Sequence, residues 1–158
     1  MKRFSLAKPA AAIVAAMALI GTISFAVAQQ PRGGERPQAR LADLMQGAQV
    51  GHIKLWFAGK AGNWGLATYQ TKQLKTRLED AAALYQSLPV NDVTTMAKPL
   101  DAISAAIAAK DGRQFARAYD ELTAGCNSCH QSVKLGFVAI RRPNANPFSD
   151  QEFGAGKK

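Results

Sequence analysis

Leu41, Met45, Ala48, His52, Leu55 and Gly59 recur at steps of four, three, four, three and four. That spacing keeps side chains on one face of an α-helix. Nowhere does the chain show a useful length of β-type alternation, so an all-α fold is expected. Gly59 and Gly62 stop the first helix. Asn63 is placed to cap a second, Trp64 to Leu88, with Leu66, Tyr69, Leu74, Leu78, Ala81, Ala82 and Tyr85 on its apolar side and Pro89 as its stop. A third opens at Asn91 or Asp92 and runs to about Ala109 through Val93, Met96, Leu100, Ile103, Ala106 and Ile107. Pro99, lacking an amide donor, predicts a kink or short break within it. Asp111 caps a fourth, whose buried side holds Phe115, Ala118, Tyr119, Leu122 and Cys126 and which reaches about Phe137. Four helices joined by short turns favour an antiparallel four-helix bundle.

The ends differ in character from this middle. Lys2, Arg3 and Lys8 precede an apolar stretch from Ala10 that closes with Ala26-Val27-Ala28, the pattern of a secretory signal peptide with a small-residue cleavage site. The rival, an uncleaved anchor, has nearly the ~20 residues a span needs. Eight of its 19 residues are alanine, however, which is weakly hydrophobic for a permanent span. Residues 29–39, rich in Pro and Gly, read as a flexible leader. The expected organisation is therefore a signal peptide over 1–28, a leader over 29–39, the bundle over 40–140 and an irregular tail over 141–158. Phe148 and Phe153 are the tail's strong anchors, for docking on the bundle or for serving as a partner-binding arm. Cleavage would leave a soluble, exported chain and lower the formal charge from +9 to +6. A basic surface favours acidic partners, and the same charge serves equally as a solvated surface. Nucleic acid is a poor fit to an exported protein.

The chemistry concentrates in Cys126-Asn127-Ser128-Cys129-His130, which holds both cysteines of the chain. Cys-x-x-Cys-His is the attachment sequence of a c-type haem: the thiols form thioethers to the porphyrin and the histidine is the proximal iron ligand. Two other readings compete. A thioredoxin-like pair needs its first thiolate at a helix N-terminus, whereas this pair falls late in a helical pattern. A Cys2His2 zinc site would have to combine Cys126, Cys129, His130 and His52, yet adjacent Cys129 and His130 diverge on a helix.

With an exported chain of this size, four helices and a single Cys-x-x-Cys-His near the C-terminus, the sequence resembles the cytochrome c-prime family, the class II c-type cytochromes. The resemblance covers roughly Arg40 to Phe137. It implies one covalently attached haem c with its iron, haem attachment outside the bacterial inner membrane and hence the periplasm, a redox partner protein, and frequent antiparallel homodimers. A basic residue commonly follows the proximal histidine by four positions in that family, on the next helical turn, and Lys134 stands there. Val133 replaces the aromatic residue usual three positions after the histidine, and the tail from Arg141 is extra.

The resemblance also places the first helix opposite the proximal histidine, where an aliphatic residue leaves the iron five-coordinate and a methionine completes it. This helix carries both His52 and Met45 on one stripe, roughly 10.5 Å of helix rise apart, so only one can face an iron. A histidine on an apolar stripe needs partners for its ring nitrogens or bears roughly 1–3 kcal/mol of desolvation. Iron is one partner for His52; a carbonyl or a haem propionate is the bland alternative. Met45 is the alternative ligand, and an open site the third possibility. Lys54, Arg141 and Arg142 are candidates for pairing with propionates, and Trp56, Phe57, Trp64, Tyr69, Tyr119 and Phe137 for packing on a porphyrin or simply filling the core. No catalytic acid, base or nucleophile set is evident. A six-coordinate single-electron carrier is the expected function; a five-coordinate protein that binds or detoxifies diatomic ligands such as nitric oxide is the alternative.

Overall fold

The computed structural model describes residues 39–88 and 96–154. The signal peptide and most of the leader lie outside these residues, as do Pro89, Asn91, Asp92 and Val93. The described residues contain four α-helices and no strand: α1 (Leu41–Lys60), α2 (Trp64–Leu84), α3 (Ala97–Ala108) and α4 (Gly112–Ser132). None is long and apolar enough to cross a membrane.

Local chemistry sets most of the boundaries. Asn63 accepts the Leu66 amide at 3.1 Å, and Asp111 accepts those of Arg113 and Gln114 at 2.9 and 3.0 Å. Both act as expected of N-caps, satisfying amides that the first turn leaves without partners. Three helices end in the same paired pattern of a Schellman motif, in which the residue after the C-cap turns left-handed. Gly62 does this for α1 with φ 69°, Lys110 for α3 with φ 52° and Lys134 for α4 with φ 61°. Glycine enters that region freely; the two lysines bear about 1–2 kcal/mol of steric cost.

Several boundaries differ from the sequence reading. α2 stops at Leu84 rather than Leu88, because Tyr85 leaves helical geometry and its hydroxyl donates to the Ala39 carbonyl at 2.8 Å. Pro99 lies in the first turn of α3, where no intrahelical amide bond is required, and the start of the longer helix expected from Asn91 or Asp92 lies outside the described residues. α4 ends at Ser132, five residues short of Phe137, at the left-handed Lys134. Tyr69 is 56% exposed, and the buried side of α2 is Ala67, Gln70, Thr71, Leu74 and Ala81 instead. Thr71 tolerates burial because its hydroxyl donates to the Ala67 carbonyl.

Neighbouring helices run in opposite directions. Gly47 lies against Arg77 and Gly51 against Gln70 across the α1–α2 turn, and Met96 lies over Gly125 across the α3–α4 turn. α1 also packs on α4 in the reverse sense, Gly59 beside Phe115 and His52 beside Tyr119. The arrangement is consistent with a four-helix bundle. Its core includes fully buried Leu55, Ile103, Phe115, Tyr119 and Leu122, each contributing roughly 1.5–3 kcal/mol by burial. One end is aromatic: Trp56 and Trp64 pack on Phe115, and Trp56 also on Tyr119.

The tail docks on that end. Phe153, 7% exposed, joins the core beside Phe57 at 5.7 Å between ring centres. Lys54 sits over Phe148, Arg142 stacks 4.3 Å over Trp56, and the same Arg142 bonds Asp120. Asn63 reaches the Gly154 carbonyl at 3.1 Å.

Gly59 has no room for a methyl group, since a Cβ would enter the rigid Phe115 ring. We expect Gly59→Ala to cost about 1–3 kcal/mol and Lys110→Gly to stabilise by about 0.5–1 kcal/mol, the relief of left-handed strain less the added unfolded-state entropy. Urea unfolding midpoints check both signs.

Candidate haem-binding site

At the other end of the bundle the helices do not close on one another. α1, α2 and the end of α4, with Met96 and the chain after α4, line a cavity of about 660 Å³, within the ~300–1,000 Å³ usual for small-molecule and cofactor sites. Its walls are overwhelmingly apolar, with Leu74 and Leu78 from α2 and Leu135, Val138 and Ile140 from the segment beyond α4. Cys126, Cys129 and His130 all open onto it.

The last two turns of α4 carry these three residues. The Schellman motif then reverses the chain, with the Leu135 amide bonded to the His130 carbonyl at 2.7 Å. The returning segment lies along the helix, where Asn127 holds the backbone of Ile140 at two points. Its side-chain amide donates to the Ile140 carbonyl at 2.8 Å and accepts the Ile140 amide at 2.7 Å. Nearby, His130 Nδ1 lies 2.6 Å from the Val138 carbonyl. A carbonyl only accepts, so Nδ1 carries the proton and the neutral ring presents Nε2 with its lone pair. Fixing a ligand histidine through its other nitrogen is how protein metal sites orient imidazole.

This donor set fits a haem better than its rivals. Burial, and secondly the neighbouring Cys129, push the Cys126 thiol up to about 11. The pair sits at the C-terminal end of its helix, where the dipole disfavours a thiolate. A redox dithiol needs the reverse. Zinc needs a cage of side chains, and among the described residues no three His, Cys, Asp or Glu groups form one. A haem brings four nitrogen ligands of its own. Two thiols and one oriented histidine on an apolar wall suffice.

His52 is 3% exposed and lines the cavity, but its ring is engaged elsewhere. Thr123 donates its hydroxyl to the Tyr119 carbonyl at 2.8 Å, so it accepts from His52 Nε2, also at 2.8 Å. Tyr119 Oη, 2.8 Å from Nδ1, then donates its proton there, with the His52 carbonyl at 2.9 Å as a second acceptor of the same proton. Both ring nitrogens are hydrogen-bonded in this arrangement. Burial holds the imidazole down at about 4 and pushes the Tyr119 phenol up.

Other sequence candidates separate into two groups. Met45 lines the cavity. Lys134 does not: it stands beyond the helix end, exposed, instead of on a further turn. Arg142, itself in the tail, is held by Trp56 and Asp120, and Lys54 lies over the tail's Phe148. Trp56, Phe57, Trp64 and Tyr119 pack at the aromatic end, and Phe137 is 83% exposed. Sequence reasoning missed Met96 on the cavity wall, the polar pair Tyr119 and Thr123 that satisfies His52, and Asn127. The i, i+4 spacing of Tyr119 and Thr123 on α4 was the one available signal for that pair.

The His52 environment has a pH consequence. Its folded-state value near 4 lies below the unfolded value near 6.5, so between these values the unfolded chain binds the extra proton. Its contribution is intact above about pH 6.5 and lost as pH falls toward 4, amounting to about 2–3 kcal/mol. We expect His52→Gln to flatten the stability profile across that window, measured by urea unfolding between pH 4 and 7.

Comparison of this chain with family models, with curated proteins and with solved structures finds no match.

Proposed function

We infer that the cavity holds a single haem c, bound through Cys126 and Cys129 with His130 as proximal ligand, and that the protein carries single electrons. One observation carries the reading: both thiols and an imidazole already held in the Nε2-presenting tautomer share one apolar cavity. When bound, the haem supplies the one-electron couple of its iron. The chain's own residues do the rest. Val138 orients the imidazole; Leu74, Leu78, Val133 and Ile140 exclude water and keep the local dielectric low. The Asn127 contact holds the returning segment as a wall. On this reading the fold is an antiparallel four-helix haem bundle similar to the cytochrome c-prime family, exported to the periplasm by residues 1–28. Its partner is an acidic redox protein, and a homodimer is the expected assembly.

With both ring nitrogens of His52 hydrogen-bonded, we favour Met45 over His52 for the sixth position. Of the two α1 candidates, Met45 keeps an uncommitted donor atom on the cavity wall. Met96 packs its thioether against Gly125 of α4. The same observation favours a second reading: if Met45 only packs, the sixth position is open and the protein binds diatomic ligands such as nitric oxide.

Optical spectra of the protein, exported with the cytochrome maturation machinery, test the proposal. We expect covalently retained haem with low-spin bands that carbon monoxide leaves unmoved, Met45→Leu converting them to high-spin and His52→Ala leaving the spin state unchanged. High-spin bands and ready carbon monoxide binding in the unaltered protein select the second reading. Absence of covalently retained haem overturns both.

A further inference from the structure

We propose that Asn127, an interior residue of the Cys-x-x-Cys-His stretch, is a positioning residue that sets the electronic character of His130 through the chain segment it pins. The inference rests on the haem reading above and adds to it a control element built from this chain's own residues.

His130 and Val138 are eight residues apart, and nothing in α4 itself brings them together. The helix ends at Ser132, and the residues after it belong to no regular element that would fix their place. Leu135, Phe137 and Val138 are all exposed by 40% or more, so burial does little to hold this stretch. Its placement comes from a local turn, in which the Val138 amide donates to the Leu135 carbonyl at 2.8 Å, and from two anchors. One is the Schellman turn at Lys134. The other is the two-point clasp of Asn127 on Ile140, with both bonds at 2.8 Å or less. Val138 lies between the anchors, and its carbonyl takes the His130 Nδ1 proton at 2.6 Å.

Asparagine suits this task because its amide offers a donor and an acceptor side by side, matching the N–H and C=O of one backbone residue. Alanine offers neither. Aspartate keeps the acceptor for the Ile140 amide and loses the donor to the Ile140 carbonyl. Asn127 does not itself line the cavity; it acts on the imidazole through the segment it holds, by way of Val138.

The consequence follows from imidazole chemistry. A strong acceptor on Nδ1–H gives the ring partial imidazolate character and raises the basicity of Nε2. A more basic ligand favours ferric over ferrous iron. Releasing Val138 therefore makes the potential more positive and leaves Nδ1–H open to water.

The test uses the haem-loaded protein, with spectroelectrochemical titration for the potential and NMR for exchange of the His130 Nδ1 proton with solvent. We expect Asn127→Ala to shift the potential positively and to speed proton exchange at least tenfold. Asn127→Asp should fall between it and wild type. Ile140→Pro, which removes the amide at the other end of the clasp, should move both readouts in the same direction, with less than additive effect in the double variant. Wild-type potential and exchange in loaded Asn127→Ala and Ile140→Pro would overturn the proposal and leave the haem reading standing. A wild-type chain that retains no covalent haem would overturn the haem reading and the proposal together.

Discussion

An imidazole is tolerated between two packed helices only when its ring nitrogens are bonded, and here Tyr119 and Thr123 of α4 satisfy both nitrogens of His52 on α1. The same contact fixes how α1 and α4 meet. Sliding either helix by one turn would strand a buried polar ring, at a cost of about 1–3 kcal/mol, and would drive Gly59 off the Phe115 ring it is shaped to accept. Two features therefore select one register: a polar match at the middle of the interface and a missing side chain at its end.

That register divides the bundle. On the Gly59 side, Trp56, Trp64, Phe115 and Tyr119 fill the space, and the tail adds Phe153. On the other side, α1 and the end of α4 are lined by side chains that do not meet across the gap, and a cavity of about 660 Å³ lies between them. His52 stands at the boundary, facing the cavity with its ring committed to the packed half. The proposed haem would sit in the open half, beside a polar network whose members are already satisfied. Among the described residues no buried side-chain polar atom lacks a partner.

Much of this architecture was legible in the sequence because it is local. The helix-period stripe of α1, the caps at Asn63 and Asp111, and the turn at Gly62 all depend on residues within a few positions of one another. The legible part of the candidate site is local too, since Cys126, Cys129 and His130 fall within five residues. The reading and the structure part where a side chain's partner is distant. Tyr69 fits an apolar stripe by spacing, yet the tertiary packing puts Gln70 and Thr71 inward. Lys134 adopts a left-handed conformation that composition would have reserved for glycine. The hydrogen-bond partners of His52 were not legible, because they lie on a helix more than sixty residues away.

By itself, then, the chain's sequence determined an all-helical fold, the order of its helices and the clustering of two thiols and a histidine at the end of the last one, because periodicity, capping and motif spacing are short-range properties. Only the tertiary structure decided which nitrogen of His130 carries its proton, that His52 spends its ring on Tyr119 and Thr123, and that the tail docks on the aromatic end. Those outcomes depend on groups brought together across the bundle, or across an irregular turn, by burial and hydrogen-bond satisfaction. No local pattern records which distant atom will be there.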